Sequence, residues 1–347
     1  MRYFINDLRQ KLIKYAYSRW SKSDRGLSDG YTILLPIPSD LPVFLSLALE
    51  IIEKQDLTDL KEVLIIPDWP SSPFEKFCTD ITKNSSNLPI RFVPLGLKDQ
   101  LVWTLTKSIT TRHFTQLVRG IDETRTEYAI IHDSDAFLPP GDFLKTQYEA
   151  CRDRELAVFG VESRRSMVRE DRDTFISTWE MTFSVRWARS FGPFMHKGQF
   201  SVVKRRRQEF DTTLLPQYLT DANLIDWTPR HRDFFHFRYV IATYRDFLNG
   251  RRLAPNYGLK LFLIRTLIEV FDVSGWYYSH VPEHSEFLEG KFGLSDLHSH
   301  PDGLRHIRRL KETLRGIIHA KIFSQHQSEV LEKRLVELLR SLKVDPD

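Results

Sequence analysis

The chain has 347 residues, 41% of them hydrophobic and 28% charged, with a formal charge of +4. These values exclude global disorder and a fibrous architecture and suit a folded protein of about two structural units. The basic excess is spread along the sequence, so it favours anionic small partners only weakly and implies no nucleic acid, and Cys78 and Cys151 sit at no metal or redox spacing.

The opening MRYFINDLRQKLIKYAYSRW lacks the apolar core and cleavage site of a secretory signal. No run of about 18 apolar residues follows anywhere, so a cytoplasmic location is expected. Ile5, Leu8, Leu12 and Tyr15 or Ala16 recur at helical spacing against Arg2, Arg9, Lys11, Lys14 and Arg19. This predicts an N-terminal amphipathic helix within residues 1–30, either peripheral on the inner membrane surface or packed on its own domain.

From Tyr31 short apolar runs alternate with amphipathic stretches, the pattern of βαβ units and a mainly parallel sheet with helices on both faces. TILLPIP (32–38) reads as the first strand, with Ser39 and Asp40 as N-cap candidates for a helix LPVFLSLALEIIEKQ. VLIIP (63–67) and IRFVPL (90–95) follow as strands two and three, separated by the helix PFEKFCTDITK. A helical region from Lys98 to about Thr124 leads into YAII (128–131), apolar throughout as a strand buried on both faces should be. The helix FLKTQYEACRDR and the strand LAVFGV (156–161) come next. The stretch to about Asn223 holds a candidate strand QFSVV (199–203), and Phe234 to Leu248, Leu259 to Phe271 and Leu304 to Val344 carry helical periodicity. The expected organisation is a sheet domain over 31–230 and a helical C-terminal region over 231–347.

The chemistry concentrates where YAII ends, in His132-Asp133-Ser134-Asp135. Two carboxylates at spacing two project to one side of an extended segment, at the carboxyl end of a strand where open α/β sheets place ligands. Crowded carboxylates repel unless a cation sits with them, and oxygen ligands favour Mg²⁺ or Mn²⁺. A turn before Pro139-Pro140-Gly141 would use the same residues.

EYAIIHDSDAFLPPGDFL (127–144), with the lead-in GIDETRTEY and the opening LLPIPSDLPVFLSLALE, resembles the D-x-D region of the GT-A-fold nucleotide-sugar glycosyltransferases, especially family two, over about residues 31–162. The resemblance implies a GT-A-like, Rossmann-like fold and transfer of a sugar from a nucleotide-diphosphate donor to a carbohydrate or lipid-linked acceptor, as in polysaccharide biosynthesis. It further implies that Asp133 meets the ribose or the metal, that Asp135 is the principal metal ligand, and that Asp68, with Pro36 beside it, contacts the nucleotide. TDANLIDW (220–227) is similar to the segment that carries the general base of inverting members, which makes Asp221 the candidate base and Asp226 the reserve. Members complete the metal site with a late His, for which His280 or His298 of the cluster His280, His284, His298 and His300 is expected. Lys204-Arg205-Arg206-Arg207 offers charge for a diphosphate or an anionic acceptor, or is a solvated face. A nucleotidyltransferase would open with a Gly-rich phosphate loop, whereas the first loop here is PIPSDLP. A non-catalytic scaffold of the same fold is the other alternative.

Overall fold

The computed structural model describes residues 10–21, 26–69, 71–84, 87–106, 109–161, 163–164, 175–203, 206–228, 234–272 and 275–345. A helical stretch over 10–16 (α1) precedes β1 (Ser28–Ile37), α2 (Val43–Glu53), β2 (Leu60–Pro67), α3 (Ser72–Asn84), β3 (Ile90–Phe92), α4 (Leu97–Thr106), α5 (Ile109–Glu123) and β4 (Thr126–His132). Next come β5 (Ala136–Phe137), α6 (Phe143–Asp153), β6 (Val158–Gly160), β7 (Ser163–Arg164), β8 (Phe175–Ile176), β9 (Glu180–Ser184) and α7 (Val185–Ser190). They are followed by β10 (Gln199–Val203), β11 (Arg206–Phe210), α8 (Leu214–Leu219), β12 (Ile225–Trp227) and β13 (Phe235–His236). The remaining helices are α9 (Val240–Leu248), α10 (Tyr257–Phe271), α11 (His284–Leu288), α12 (Gly303–His319) and α13 (Gln325–Ser341).

The chain divides into two compact units, one of Met1–Asp40, Gln55–Ser134 and Asp142–His231, the other of Leu41–Lys54, Asp135–Gly141 and Arg232–Asp347. The first is built on a seven-stranded sheet in the order β12-β6-β9-β4-β1-β2-β3. All its strands run parallel except β9, which lies antiparallel between β4 and β6. The α/β sheet expected from the alternating apolar runs is therefore present. Its centre is buried because Ile33, Leu34, Leu64, Ile65, Ile130 and Ile131 are apolar on both faces. On one face Leu34, Ile66, Ile131, Met181 and Phe183 pack with Leu117 and Ile121 of α5 and Val185 and Ala188 of α7. On the other, Tyr128 and Phe159 pack with Cys151 of α6, and Tyr148 of α6 lies 4.9 Å from the Tyr31 ring.

The N-terminal helix is covered by its own unit. Ile13 and Tyr17 are buried with Val102, Phe114 and Val118, and the Tyr17 hydroxyl donates to Asp99 at 2.5 Å. The expected stripe is thus turned by one position: Ile13 and Tyr17 face inward, while Tyr15 is 86% exposed. Ile5 and Leu8 lie outside the described residues.

In the second unit α10 is the apolar axis, with Leu261, Phe262, Ile264, Leu267 and Phe271 buried. It packs on α2, α9, α11 and α13. The C-terminal helical region was foreseen, but Phe235 and His236 form a strand against Phe137 and Ala136 before α9 begins. The helical tail consists of α12 and α13, the latter starting from a capping box of Ser324 and Gln327. Neither Ser39 nor Asp40 caps α2, whose N-cap is Pro42. Among the described residues no helix is long and apolar enough to cross a membrane.

Candidate active site

At the carboxyl edge of the sheet β1 and β4 stay in register only to Leu34 and Ile131, while β2 and β3 lie on the far side of β1. This is the switch point at which open α/β sheets take ligands. Pro36 fits that opening, because it has no N–H to offer β4 and pairs with Ile66 of β2.

Asp68 follows β2 and is 1% exposed. One carboxylate oxygen accepts from the Ser39 amide (3.0 Å) and hydroxyl (2.9 Å), the other from Arg112 of α5 at 3.1 Å. A buried carboxylate held on both oxygens ties β1, β2 and α5 together, which is where the structure places the Asp68 expected at the nucleotide. What it positions is the Arg112 guanidinium, 3.8 Å from the Trp103 ring centroid, with the Trp69 ring a further 4.7 Å from Trp103. Gln116 donates to the carbonyls of Ile37 (3.1 Å) and Ile66 (2.6 Å), fixing both strand ends.

Asp133 leaves β4 half-buried. Its amide donates to the Trp179 carbonyl at 2.8 Å, and His113 Nε2 lies 3.7 Å from its carboxylate. Behind it the fully buried His132 Nδ1 meets Glu180 at 2.6 Å, and Gln147 holds the other Glu180 oxygen at 3.0 Å. This chain locks β4 to β9 at the point where the carboxylate pair begins. Beside Trp179, Ser177, Thr178, Asp211 and Thr212 line a shallow depression.

Asp221 and Asp226, the candidate base and its reserve, are not brought to the strand end where Asp133 emerges. Register through β6 and β9 sets Asp226 level with Ile130 in mid-strand, three strands from β4, or about 14 Å at ordinary strand spacing. Its carboxylate is paired with Arg154 at 2.5 Å. Asp221 is exposed and precedes β12, which puts it at the amino edge of the parallel strands, opposite the end where Asp133 emerges. Asp211 lies on the same edge as Asp133, lining the depression with Trp179, whose carbonyl accepts from the Asp133 amide.

In the second unit Asp135 is 6% exposed and accepts from His236 Nε2 at 3.1 Å. His236 reaches it because β13 pairs with β5, setting His236 opposite Ala136. The imidazole against Asp135 is therefore not one of the late cluster. His280 is exposed in a turn, and His298 donates to the Leu342 carbonyl. His236 also borders a cavity of about 240 Å³ with Arg238, Asn256, Lys260, His306 and Arg309 in its wall and Leu259, Leu263 and Leu310 beneath. Arg238 and Tyr239 hold left-handed backbone (φ 42° and 64°), a strain of about 1–3 kcal/mol each that recurs at ligand sites. Burial, reinforced by Arg309 and opposed by Asp135, pushes the Lys260 ammonium down to about 8. Lys204 and Arg205 of the basic run lie outside the described residues.

Neither a family model nor a curated protein matches the sequence. Solved structures similar to the chain include the galactosyltransferase LgtC with donor and acceptor sugar analogues, at 13% identity and TM-score 0.37, over 48% of this chain and 62% of that one. The chain therefore spans less than two thirds of LgtC. Residues 1–349 of S. aureus TarS align at 10% identity and TM-score 0.38 over 90% and 89% of the two chains. Core-mannan synthase A from Aspergillus fumigatus in its Mn/GDP form aligns at 9% and 0.38 over 63% and 80%.

Proposed function

We propose that the protein is a metal-dependent glycosyltransferase that moves a sugar from a nucleotide-diphosphate sugar to an acceptor hydroxyl. The observation that carries this reading is the Asp133-Ser134-Asp135 segment at the exit of the buried strand β4, with Asp135 itself bonded to an imidazole. Asp133 and Asp135 bring two carboxylates in one short segment and Asp135 is bonded to the imidazole of His236, and oxygen donors joined by a nitrogen donor suit Mn²⁺ better than Mg²⁺. When bound, such a cation supplies the charge that offsets the departing diphosphate.

The rest of the work falls to groups of the chain itself. Arg112 stacked on Trp103, with Trp69 alongside, offers a planar face for a nucleotide base. Asp211, on the edge where Asp133 emerges, is the carboxylate we assign to take the proton from the acceptor hydroxyl. A base in that role makes the transfer inverting.

The test is thermal unfolding with UDP or GDP, in Mn²⁺ and in EDTA. A nucleotide at 100 times its Kd should stabilise the protein by about 2.7 kcal/mol in Mn²⁺ and hardly at all in EDTA, and Asp135→Ala should abolish the difference. Equal stabilisation in EDTA, or an Asp135→Ala protein that keeps the Mn²⁺ effect, would sink the reading.

A further inference from the structure

We propose that the cavity of the second unit is a phosphate-binding subsite that holds a phosphate ester without a metal. Three side chains that are cations at neutral pH stand in its wall, Arg238, Lys260 and Arg309, with His306 as a fourth nitrogen donor, and none of its lining residues is acidic among the described residues. Acidic groups do act at its margins: Asp135 on Lys260 and Asp302 on His306, the latter offset by Arg305 and His300. Lys260 is drawn into the wall by the Thr243 hydroxyl at 3.3 Å and lies 5.5 Å over the Tyr239 ring. Helix α9 begins at the same wall, because Tyr239 is both a lining residue and the N-cap, and its side chain gives the first helical amides no bond. An anion there meets guanidinium forks, an ammonium and the positive end of a nine-residue helix together.

Size narrows the ligand. The cavity, at about 240 Å³, is below the roughly 300–1,000 Å³ of sites for drug-sized molecules. It fits a phosphate with a short polyol or one sugar attached, and Asn256 and Thr313 in the wall suit hydroxyls next to the phosphate. The proposed carboxylate–imidazole metal set already accounts for the charge of a donor diphosphate. Cations in excess of that set point to a second phosphate, carried by the acceptor. This last step rests on the glycosyl-transfer reading, whereas the anion site does not.

Calorimetric titration of the full chain in EDTA with inorganic phosphate, sn-glycerol 3-phosphate, glycerol and UDP tests both parts. Phosphate and glycerol phosphate should bind and glycerol should not. Arg309→Ala and Lys260→Met should each weaken binding tenfold or more, and Arg309→Lys should restore part of it, since the charge returns without the fork. Arg309 is exposed, so its variants should fold. Glycerol phosphate affinity that is the same with and without saturating UDP and Mn²⁺ assigns the subsite to the acceptor. Competition between the two assigns it to the donor diphosphate. No binding of either phosphate, or equal binding by wild type and both charge-removing variants, overturns the subsite. Because the arms in EDTA omit Mn²⁺, they stand if the metal-dependent nucleotide effect fails, and that effect stands if they fail.

Discussion

The two units arrange charge in different ways. At the carboxyl edge of the first, Asp68 is neutralised by Arg112 and Ser39, and Glu180 is enclosed with His132 and Gln147. In the second, Arg238, Lys260 and Arg309 gather around a cavity that no acid lines among the described residues. Charges matched within the protein fix geometry. Cations gathered around one cavity repel each other when it is empty and favour an anionic complex. The difference separates residues that build the site from residues that meet a ligand, although the sequence shows both as ordinary Asp and Arg.

Four measurements break or sharpen this contrast. The largest effect is expected at Asp211, where Asn should lower turnover by about 10²–10⁴ with donor affinity kept, while Asp221→Asn stays near wild type. Loss of activity in the second and not the first would return the base to the amino edge of the sheet.

Next is the acid response of the first unit. His196 is fully buried, donates to the Ala188 carbonyl at 2.8 Å, and is pushed down to about 4 by that burial. The folded state therefore prefers the neutral ring, and its stabilisation, complete above the ordinary value near 6.5, is lost as pH falls from about 6.5 to 4. The loss should approach 3 kcal/mol. Chemical denaturation of His196→Gln at pH 7 and pH 4.5 should show a flatter pH dependence than wild type, and an unchanged slope would remove His196 from the account.

Arg112→Ala should cost about 2 kcal/mol, because it takes the guanidinium away from the buried Asp68 carboxylate. Adding Asp68→Asn should recover part of the loss, and additive losses in the double variant would show that the pair is not coupled. Smallest is Arg309→Ala, which should change stability by no more than about 0.5 kcal/mol. A cost as large as that of Arg112→Ala would make Arg309 structural and erase the contrast.

How far the sequence reaches depends on which interactions are local. Strands buried on both faces announce themselves as apolar runs, and β1, β2 and β4 were legible to within a few residues. Antiparallel β9 was not, because Glu180-Met181-Thr182-Phe183-Ser184 is short and Glu180 and Thr182 are polar residues buried by tertiary partners. The carboxylate pair was visible from its place after YAII. His236 was hidden because it lies 101 residues from Asp135 and reaches it through a two-residue bridge. The alternation in Phe234-Phe235-His236-Phe237 was the available sign of a strand. The place of Asp221 was not legible, because a motif match says nothing about which end of a strand a residue occupies, and the β12–β6 pairing puts it at the amino edge.

The reversed strand β9 also bears on how the fold can change over time. Where every strand runs the same way, the residues gathered at one edge come only from strand exits. Here β9 enters at the edge where β4 leaves, so the Ser177–Trp179 turn lies beside Asp133. The hydrogen-bonded ladder of β4 and β9, clamped by His132 and Glu180, keeps its alignment when that turn is altered. What lies beside Asp133 can therefore change through that turn without refolding the sheet beneath it.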